Sequence, residues 1–314
     1  MHRLPHSDFI NIPSINLADR TYHLCPFNQT APEKELIESI RQFGILHPPI
    51  LKQRKSNIII VDGRKRILAA RLVRPDDKIM CLVIPEEAEE EFAYKLIVEE
   101  TSCGRQLSLV EQATLFDNFL KLKPVEDALP LLEKLGYKPQ KHILDELVSL
   151  LTLSSATLLA IHKGIILPKS ARKMRKLSAE DQELLVQLIS SLHLGGSKQH
   201  KLIDYCTELI MRTNIPLKKL LHEFIADDIQ DNNKNIPQQS AALLMWLHKK
   251  CFPRSTKAED EFRKSVAGLC LPEHIHIDHQ PSFEDDSVTL SVKFPDLKTV
   301  HKALPEILEI ARNS

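Results

Sequence analysis

The stretch IIIVDGRKRILAARL, residues 58–72, decides the fold of the N-terminal part of this chain. Its four leading β-branched residues predict a strand, and the Ala-rich segment after Gly63 predicts a helix. Three consecutive cations, Arg64, Lys65 and Arg66, stand at the corner between the two. Because a helix N-terminus offers free amide groups and a positive dipole end, this pattern predicts a phosphate site. A solvated turn explains the local pattern equally well.

Hydrophobic spacing divides the rest of the chain. Short strands alternate with helices over residues 8–100, whereas the spacing from Leu107 to about Asp228 is helical throughout. A segment rich in Asp, Asn and Gln follows, and the tail then predicts two helices, two strands and a last helix. We therefore predict an α+β domain at 1–106, an all-α domain at 107–228, a linker at 229–240 and a small α/β domain at 241–314.

Composition restricts the class of protein. The 314 residues include 42 basic and 42 acidic side chains, so any nucleic-acid binding must come from local patches. The six cysteines contain no C-x-x-C pair, which favours reduced thiols over a zinc site or a disulfide framework. No run approaches the 18 apolar residues of a membrane span, and the N-terminus has no apolar signal region. These features predict a cytoplasmic protein that does not bind membranes.

The segment PVEDALPLLEKLGYKPQKHILDELVSLL, residues 124–151, has a helix, a glycine turn and a second helix. This order is typical of a helix-turn-helix, in which the second helix enters the DNA major groove. Lys141 and His142 begin the second helix, and Asp145 and Glu146 follow. A helical hairpin that only packs the core is the alternative. Nearby, Ser108 and Glu111 predict a capping box.

A run of one charge sign lies between residues 161 and 179, which contain six cations and no acid. Such a run predicts contacts with DNA phosphates that are independent of sequence and sensitive to salt. A solvated helix face is the alternative. The six cations are Lys163, Lys169, Arg172, Lys173, Arg175 and Lys176.

The order of these segments resembles the ParB family of chromosome and plasmid partition proteins. The family has a helix ending in G-I-x-x-P, a G-E-R-R-x-R-A-A corner, an E-N-x-x-R segment and an L-x-P-x-E-x-A helix start. This chain has GILHP at 44–48, GRKRILAA at 63–70, ET at 100–101 and LSLVEQA at 107–113. Residues 147–174 are similar to the stretch after the family's helix-turn-helix, and the tail is similar to its dimerisation domain.

The resemblance implies a ParB/sulfiredoxin-like N-terminal domain, a helix-turn-helix middle domain and a C-terminal dimerisation domain. It implies a homodimer that binds CTP with Mg²⁺ and closes as a clamp around double-stranded DNA. A ParA-like partition ATPase is the implied partner, and the implied location is cytoplasmic and associated with the nucleoid. Whether the DNA belongs to a chromosome, a plasmid or a mobile element stays open.

Residue roles carry over by position. Gly63, Arg64, Lys65 and Arg66 would line the triphosphate, and Ile45, His47 and Pro48 would lie near the cytidine. Glu100 would help to hold Mg²⁺, with Thr101 and Arg105 completing the nucleotide site. The DNA-binding residues would be Lys141, His142 and the six cations between 161 and 179.

Departures from the family pattern bear on catalysis. The corner's Glu and its last Arg are replaced by Arg64 and Leu68, Asn is replaced by Thr101, and an arginine stands one place late at Arg105. These changes predict CTP binding with at most weak CTP hydrolysis. Two alternatives stay open: an adaptor of the same fold that binds neither nucleotide nor specific DNA, and a phosphotransferase or nuclease.

Overall fold

A computed structural model of the protein describes residues 4–27, 31–55, 57–102, 106–227, 235–269, 271–280 and 287–312. The chain divides into two compact units, one of Met1–Thr207 with Pro216–His222 and one of Glu208–Ile215 with Glu223–Ser314. The predicted mixture of strands with many helices is confirmed. The layout in three domains stays a prediction.

The first unit begins with a mixed five-stranded sheet. Its strands are β1 (His6–Asn11), β2 (Ile15–Asn16), β3 (Ile50–Arg54), β4 (Asn57–Asp62) and β5 (Lys78–Ile84). They lie in the order β1-β5-β3-β4-β2. β1 with β5 and β3 with β4 are antiparallel, whereas β3 with β5 and β2 with β4 are parallel. The central strands β3 and β4 therefore lead to the corner predicted from residues 58–72.

Three helices accompany the sheet: α1 (Lys34–Phe43), α2 (Arg64–Val73) and α3 (Glu90–Ser102). In α1 and α2, Ile40, Ala69 and Ala70 are buried in one cluster. Ile67 of α2 is fully buried against sheet residues such as Leu51. The helix α2 is thus fixed along its apolar face, which leaves its N-terminus at the end of β4.

A buried polar network fixes the chain beside this corner. Lys52, which is only 2% exposed, donates to the carbonyl of Ala88 at 2.8 Å and forms an ion pair with Glu90 at 3.2 Å. The Tyr22 hydroxyl donates to the same carboxylate. Burial opposes ionisation of Glu90, but the hydrogen bonds from Tyr22 and Lys52 outweigh it and hold the pKa of Glu90 below its ordinary value. Because Tyr22 is anchored in this way, the residues that follow it are held next to β4.

An all-helical region follows in the sequence, as predicted. Its helices are α4 (Leu109–Leu120), α5 (Val125–Lys134), α6 (Lys141–Val148), α7 (Ser155–His162), α8 (Pro168–Met174), α9 (Ala179–Ser191), α10 (Gly196–Thr213) and α11 (Leu217–Asp227). The predicted capping box of Ser108 and Glu111 is confirmed at the start of α4. In the described part of the chain, no single helix is long and apolar enough to cross a membrane. One pair, Lys141–Thr152 with Ser155–His162, reaches that length only in combination and is bent by 120°.

The second unit contains α12 (Ile236–Cys251), α13 (Pro253–Gly268), β6 (Ile275–His279), β7 (Val288–Val292) and α14 (Leu297–Arg312). The predicted order of helix, helix, strand, strand, helix is confirmed. Residues 236–240 of the predicted linker belong to α12, and the bounds of the linker stay a prediction. A capping box of Asn235 and Gln238 starts this helix inside the polar stretch. Residues 229–234 lie outside the described residues.

Candidate functional site: a cavity at the strand–helix corner

A cavity of about 350 Å³ lies in the first unit, at the corner between β4 and α2. Its walls are residues 22–25, residues 60–66, Ile97 from α3, Glu111 from α4 and His162 at the end of α7. The volume falls at the lower end of the range of about 300–1,000 Å³ that is usual for small-molecule sites. The four predicted phosphate residues of the corner all line this cavity.

Gly63 makes the corner sterically feasible. It has a left-handed φ of +88°, and an added Cβ would lie 2.7 Å from the Cβ of Pro49. Only a residue without a side chain fits this turn, because the close approach and the positive φ both exclude Cβ. The backbone therefore reverses directly from strand to helix, with the loop before β3 packed against it.

The first turn of α2 lines the cavity at the corner. Its first intrahelical hydrogen bond runs from the Ile67 amide to the Gly63 carbonyl at 3.1 Å. The amides of Arg64, Lys65 and Arg66 precede that bond and belong to the helix end that has no intrahelical acceptor. Together with the positive end of the helix dipole, these amides favour a phosphate or another anion.

Two of the three cations are engaged in different ways. Arg64 donates to the carbonyl of Leu17 at 2.7 Å and to that of Asp19, so its guanidinium clamps the chain before the cavity. Burial lowers the pKa of Arg64. Lys65 forms an ion pair with Glu33 at the surface, and its hydrogen bond lowers the pKa of that carboxyl. About half of each of these two side chains is exposed, so this pair is weak and can exchange.

Arg66 holds the corner to the loop before β3. Its guanidinium donates to the Asp62 carboxylate at 2.7 Å, to the His47 carbonyl at 2.6 Å and to the Pro48 carbonyl at 3.3 Å. The Asp62 side chain is 6% exposed and that of Arg66 21%, so this pair is largely removed from water. The structure thus brings His47 and Pro48 to the corner through their backbone oxygen atoms.

The other predicted nucleotide residues lie elsewhere or outside the described residues. Ile45 packs against the cluster between α1 and α2. Glu100 and Thr101 do not line the cavity, and the Thr101 hydroxyl donates to the Val98 carbonyl at 2.6 Å. Arg105 lies outside the described residues. The structure therefore does not bring Glu100, the predicted Mg²⁺ ligand, to the corner, and no group of three metal-binding side chains occurs within the described ranges.

Sequence reasoning missed a second wall of the cavity, formed by Cys25, Glu111 and His162, with Ser108 in contact with His162. The Nε2 of His162 lies 4.0 Å from the Cys25 sulfur, and its Nδ1 lies 2.8 Å from the Ser108 hydroxyl. Cys25 and His162 are 137 positions apart, so no local spacing could reveal their contact. The only local signal was the capping box, which fixes Ser108 at the start of α4.

The helix-turn-helix prediction has a matching structure in α5, a turn at residues 135–140 and α6. The turn includes Gly136 at a left-handed φ of +87°. Lys141 and His142 are exposed at the start of α6, whereas Leu144 and Leu147 are buried. One face of α6 thus packs inward while the predicted DNA-binding residues face solvent.

The six cations between residues 161 and 179 are all exposed. Arg172 pairs with Glu146 at 3.1 Å, Lys173 pairs with Asp204, and Arg175 donates to the Ser149 hydroxyl. The other three form no ion pair with a described residue. They are Lys163, Lys169 and Lys176, and we call them the free lysines.

A comparison of sequences finds a relative among known proteins. Stage 0 sporulation protein J from Bacillus subtilis (strain 168) is 29% identical over 179 residues, which are 57% of this chain and 61% of that protein. The match thus spans less than two thirds of the relative. No family model matches the chain.

The chain is thus similar to a protein of the ParB family, and its sequence is divergent from it.

Solved ParB structures from Caulobacter crescentus are also similar to the chain. One is a C-terminally truncated ParB in complex with CTP-gamma-S, 17% identical, with 59% of this chain and 99% of that chain covered and a TM-score of 0.27. Another is a truncated ParB complexed to the centromeric parS site, 15% identical, with 63% and 98% covered and a TM-score of 0.34.

We expect Gly63→Ala to destabilise this ParB relative more than Gly136→Ala. Both glycines have the same left-handed φ, but an added Cβ meets nothing within 4 Å at Gly136. The backbone strain of about 1–2 kcal/mol is common to both changes, and overpacking against Pro49 adds about 1–3 kcal/mol at Gly63. Chemical denaturation measures both free energies of unfolding, and equal losses would contradict the steric account of the corner.

Proposed function

We propose that this chain is a ParB-like DNA-binding partition protein in which CTP binds at the β4–α2 corner and acts as a switch ligand. One observation carries the proposal: free amides of a helix N-terminus, a glycine turn and three cations line one cavity of about 350 Å³. Backbone amides are present whatever side chain a residue carries. An anion site built from them is therefore kept although the side chains depart from the family motif. The choice of CTP as the nucleotide rests on the resemblance to the ParB family, to which the matched sporulation protein belongs.

The three cations divide their tasks in this proposal. Arg64 and Arg66 hold the walls, since both donate to backbone carbonyls on other parts of the chain. Lys65 is the cation that exchanges a weak partner, the Glu33 carboxylate, for a phosphate oxygen. Mg²⁺ would accompany the triphosphate as its counter-ion, and Glu100, which does not line the cavity, has no role in this proposal. Hydrolysis is at most weak, because the altered corner and segment 100–105 replace the family's side chains.

Calorimetric titration with CTP, ATP and GTP in the presence of Mg²⁺ tests the nucleotide site. We expect selective CTP binding, and we expect Lys65→Ala to weaken it by about tenfold, the value of one charge-assisted hydrogen bond. Lys65→Ala is preferable to Arg66→Ala, because Arg66 also holds the loop at residues 47–48.

Glu33→Gln is the matched control for this titration. It breaks the same surface ion pair but leaves the ammonium of Lys65, so CTP affinity should be unchanged or higher. If neither CTP nor any other nucleotide binds, even with DNA present, the adaptor alternative stands. The engagement of all three corner cations by protein acceptors favours that alternative. Nucleotide turnover without DNA would favour the enzyme alternative.

The helical region supplies the proposed DNA interface. Lys141 and His142 at the exposed start of α6 would face base edges, and the six cations between 161 and 179 would contact phosphates. Glu146 of α6 pairs with Arg172 of α8, so a carboxylate that would repel DNA is neutralised by a member of the cation run. The free lysines are the members of the run that form no ion pair with another described residue, and we assign phosphate binding mainly to them.

DNA affinity measured over a salt series tests this assignment. Changing the three free lysines to Ala should weaken binding to a mixed-sequence duplex and reduce the salt slope by about 3, because each phosphate contact contributes about 0.9. The charge-matched control changes Lys34, Arg71 and Lys78, which are exposed cations of the sheet region. An equal effect of both triple variants would show that only net charge matters and would contradict the interface.

We further propose that the second unit forms a homodimer through the hairpin of β6 and β7. Strand register places Ile275 beside Val292 and Ile277 beside Leu290, so one face of the hairpin is apolar. Leu290 on this face is 62% exposed in the single chain. An exposed apolar face of this kind is typical of a self-association surface. A ParA-like ATPase partner and association with the nucleoid follow only from the ParB likeness.

Sedimentation velocity of the full chain tests the dimer. Leu290→Lys should produce monomers, because it places a charge on the proposed interface. Thr289→Lys is the control, since Thr289 is the adjacent residue and projects from the opposite face of the hairpin. If the unaltered protein is monomeric, or if both variants behave alike, this interface is wrong.

A further inference from the structure

The nucleotide proposal leaves one wall of the cavity unused. A thiol and an imidazole lie together on that wall. The Cys25 sulfur is 4.0 Å from Nε2 of His162, and Cys25 is partly exposed to solvent. The hydroxyl oxygen of Ser108 accepts a hydrogen bond from the backbone amide of Glu111 at 3.3 Å. This bond fixes the Ser108 oxygen, which lies 2.8 Å from Nδ1 of His162. When Nδ1 donates to this oxygen, Nε2 carries the lone pair that faces the thiol.

This arrangement has the parts of an activated nucleophile. A thiol faces a base, and the base is oriented by a third group. The start of α2 and the side chains of the corner line the same cavity, and thiolates are favoured near helix N-termini and cations. The titratable and charged groups on the cavity walls, apart from the pair itself, are Tyr22, His23, Asp62, Arg64, Lys65, Arg66 and Glu111.

The other described thiols differ from Cys25. Cys81, Cys206 and Cys251 are buried, and none of them lines the cavity. Burial raises the pKa of Cys81 to about 12 and that of Cys251 to about 11, so both are held as neutral thiols at physiological pH. Among the described residues, Cys25 is therefore the cysteine that a dissolved reagent can reach.

We infer that Cys25 is a thiol-modification site with His162 as its general base, and that small disulfides of the glutathione type are its substrates. The Cys25 proton passes to Nε2 of His162 while the sulfur attacks one sulfur of the disulfide. A new S–S bond forms, the S–S bond of the reagent breaks, and the leaving thiolate takes the bonding electron pair. The leaving thiolate then takes up the proton from His162, so that one thiol is oxidised and half of the disulfide is reduced.

The consequence for the cavity rests on the proposed nucleotide function. A mixed disulfide on Cys25 would place the attached group in the cavity and exclude the triphosphate. Thiol oxidation would then switch off nucleotide binding, and a bound nucleotide would shield the thiol.

The test is the rate at which oxidised glutathione modifies each cysteine of the full chain, read by peptide mass spectrometry. At pH 7 we expect Cys25 to react at least about tenfold faster than Cys81, Cys206 and Cys251, and His162→Gln to slow it by about tenfold or more. At pH 9.5, above the ordinary thiol pKa of about 8.5, the variant and the unaltered protein should converge. His222→Gln, an exposed histidine away from the cavity, should have no effect.

Three results would overturn the inference. Cys25 could react no faster than the buried thiols, His162→Gln could leave its rate unchanged, or the variant could slow the reaction equally at both pH values. The last result would indicate a purely structural role for the histidine. The outcome differs if only the nucleotide proposal is wrong. Cys25 then still reacts fast and its rate still depends on His162, but CTP does not protect it from modification.

Discussion

The approach of Gly63 to Pro49 is the constraint on which the N-terminal half of the first unit depends. Because no Cβ intervenes, β4 can turn into α2 while the loop before β3 packs across the turn. Arg66 then ties the turn to that loop through Asp62 and the His47 carbonyl. The buried side of α2 follows from this geometry, and so does the direction of its free amides. The proposed anion site is thus a product of the same contact that joins the central strands to the helix.

Three adjacent cations at such a corner invite an explanation by phosphate alone, but the contacts of Arg64 and Arg66 show that these two side chains hold the fold together. A largely buried hydrogen-bonded pair such as Arg66 with Asp62 is costly to break, since separation leaves a desolvated charge. The exposed pair of Lys65 with Glu33 is worth about 0–1 kcal/mol and loses little when it opens. The difference in burial therefore separates a cation that maintains the site from one that is available to a ligand. Sequence alone cannot make this distinction, because both residues are simply basic.

Elements with local causes could be predicted from the sequence. The strand and helix of residues 58–72, the capping box at Ser108 and the helical run after residue 107 all follow from spacing within a few turns. The start of α12 was missed because a capping box in a polar stretch has the composition of a linker. The pair of Cys25 and His162 was missed because its partners meet only through the tertiary fold. The position of Glu100 also depends on the tertiary fold: Ile97, one turn earlier on α3, lines the cavity and Glu100 does not.

The first unit also gives the two proposed binding functions a shared element. His162 ends α7 on the cavity wall, and α8, which carries three of the six cations, begins six residues later. The turn between α7 and α8 is held by the side chain of Gln199. Its amide oxygen accepts a hydrogen bond from the Leu167 backbone amide, and its amide nitrogen donates to the carbonyl of Ile165. A ligand that contacts His162 therefore acts on the end of a helix that leads through a fixed turn into the cation run. The proposed nucleotide cavity and the proposed DNA interface are thus connected through His162, the turn held by Gln199 and α8.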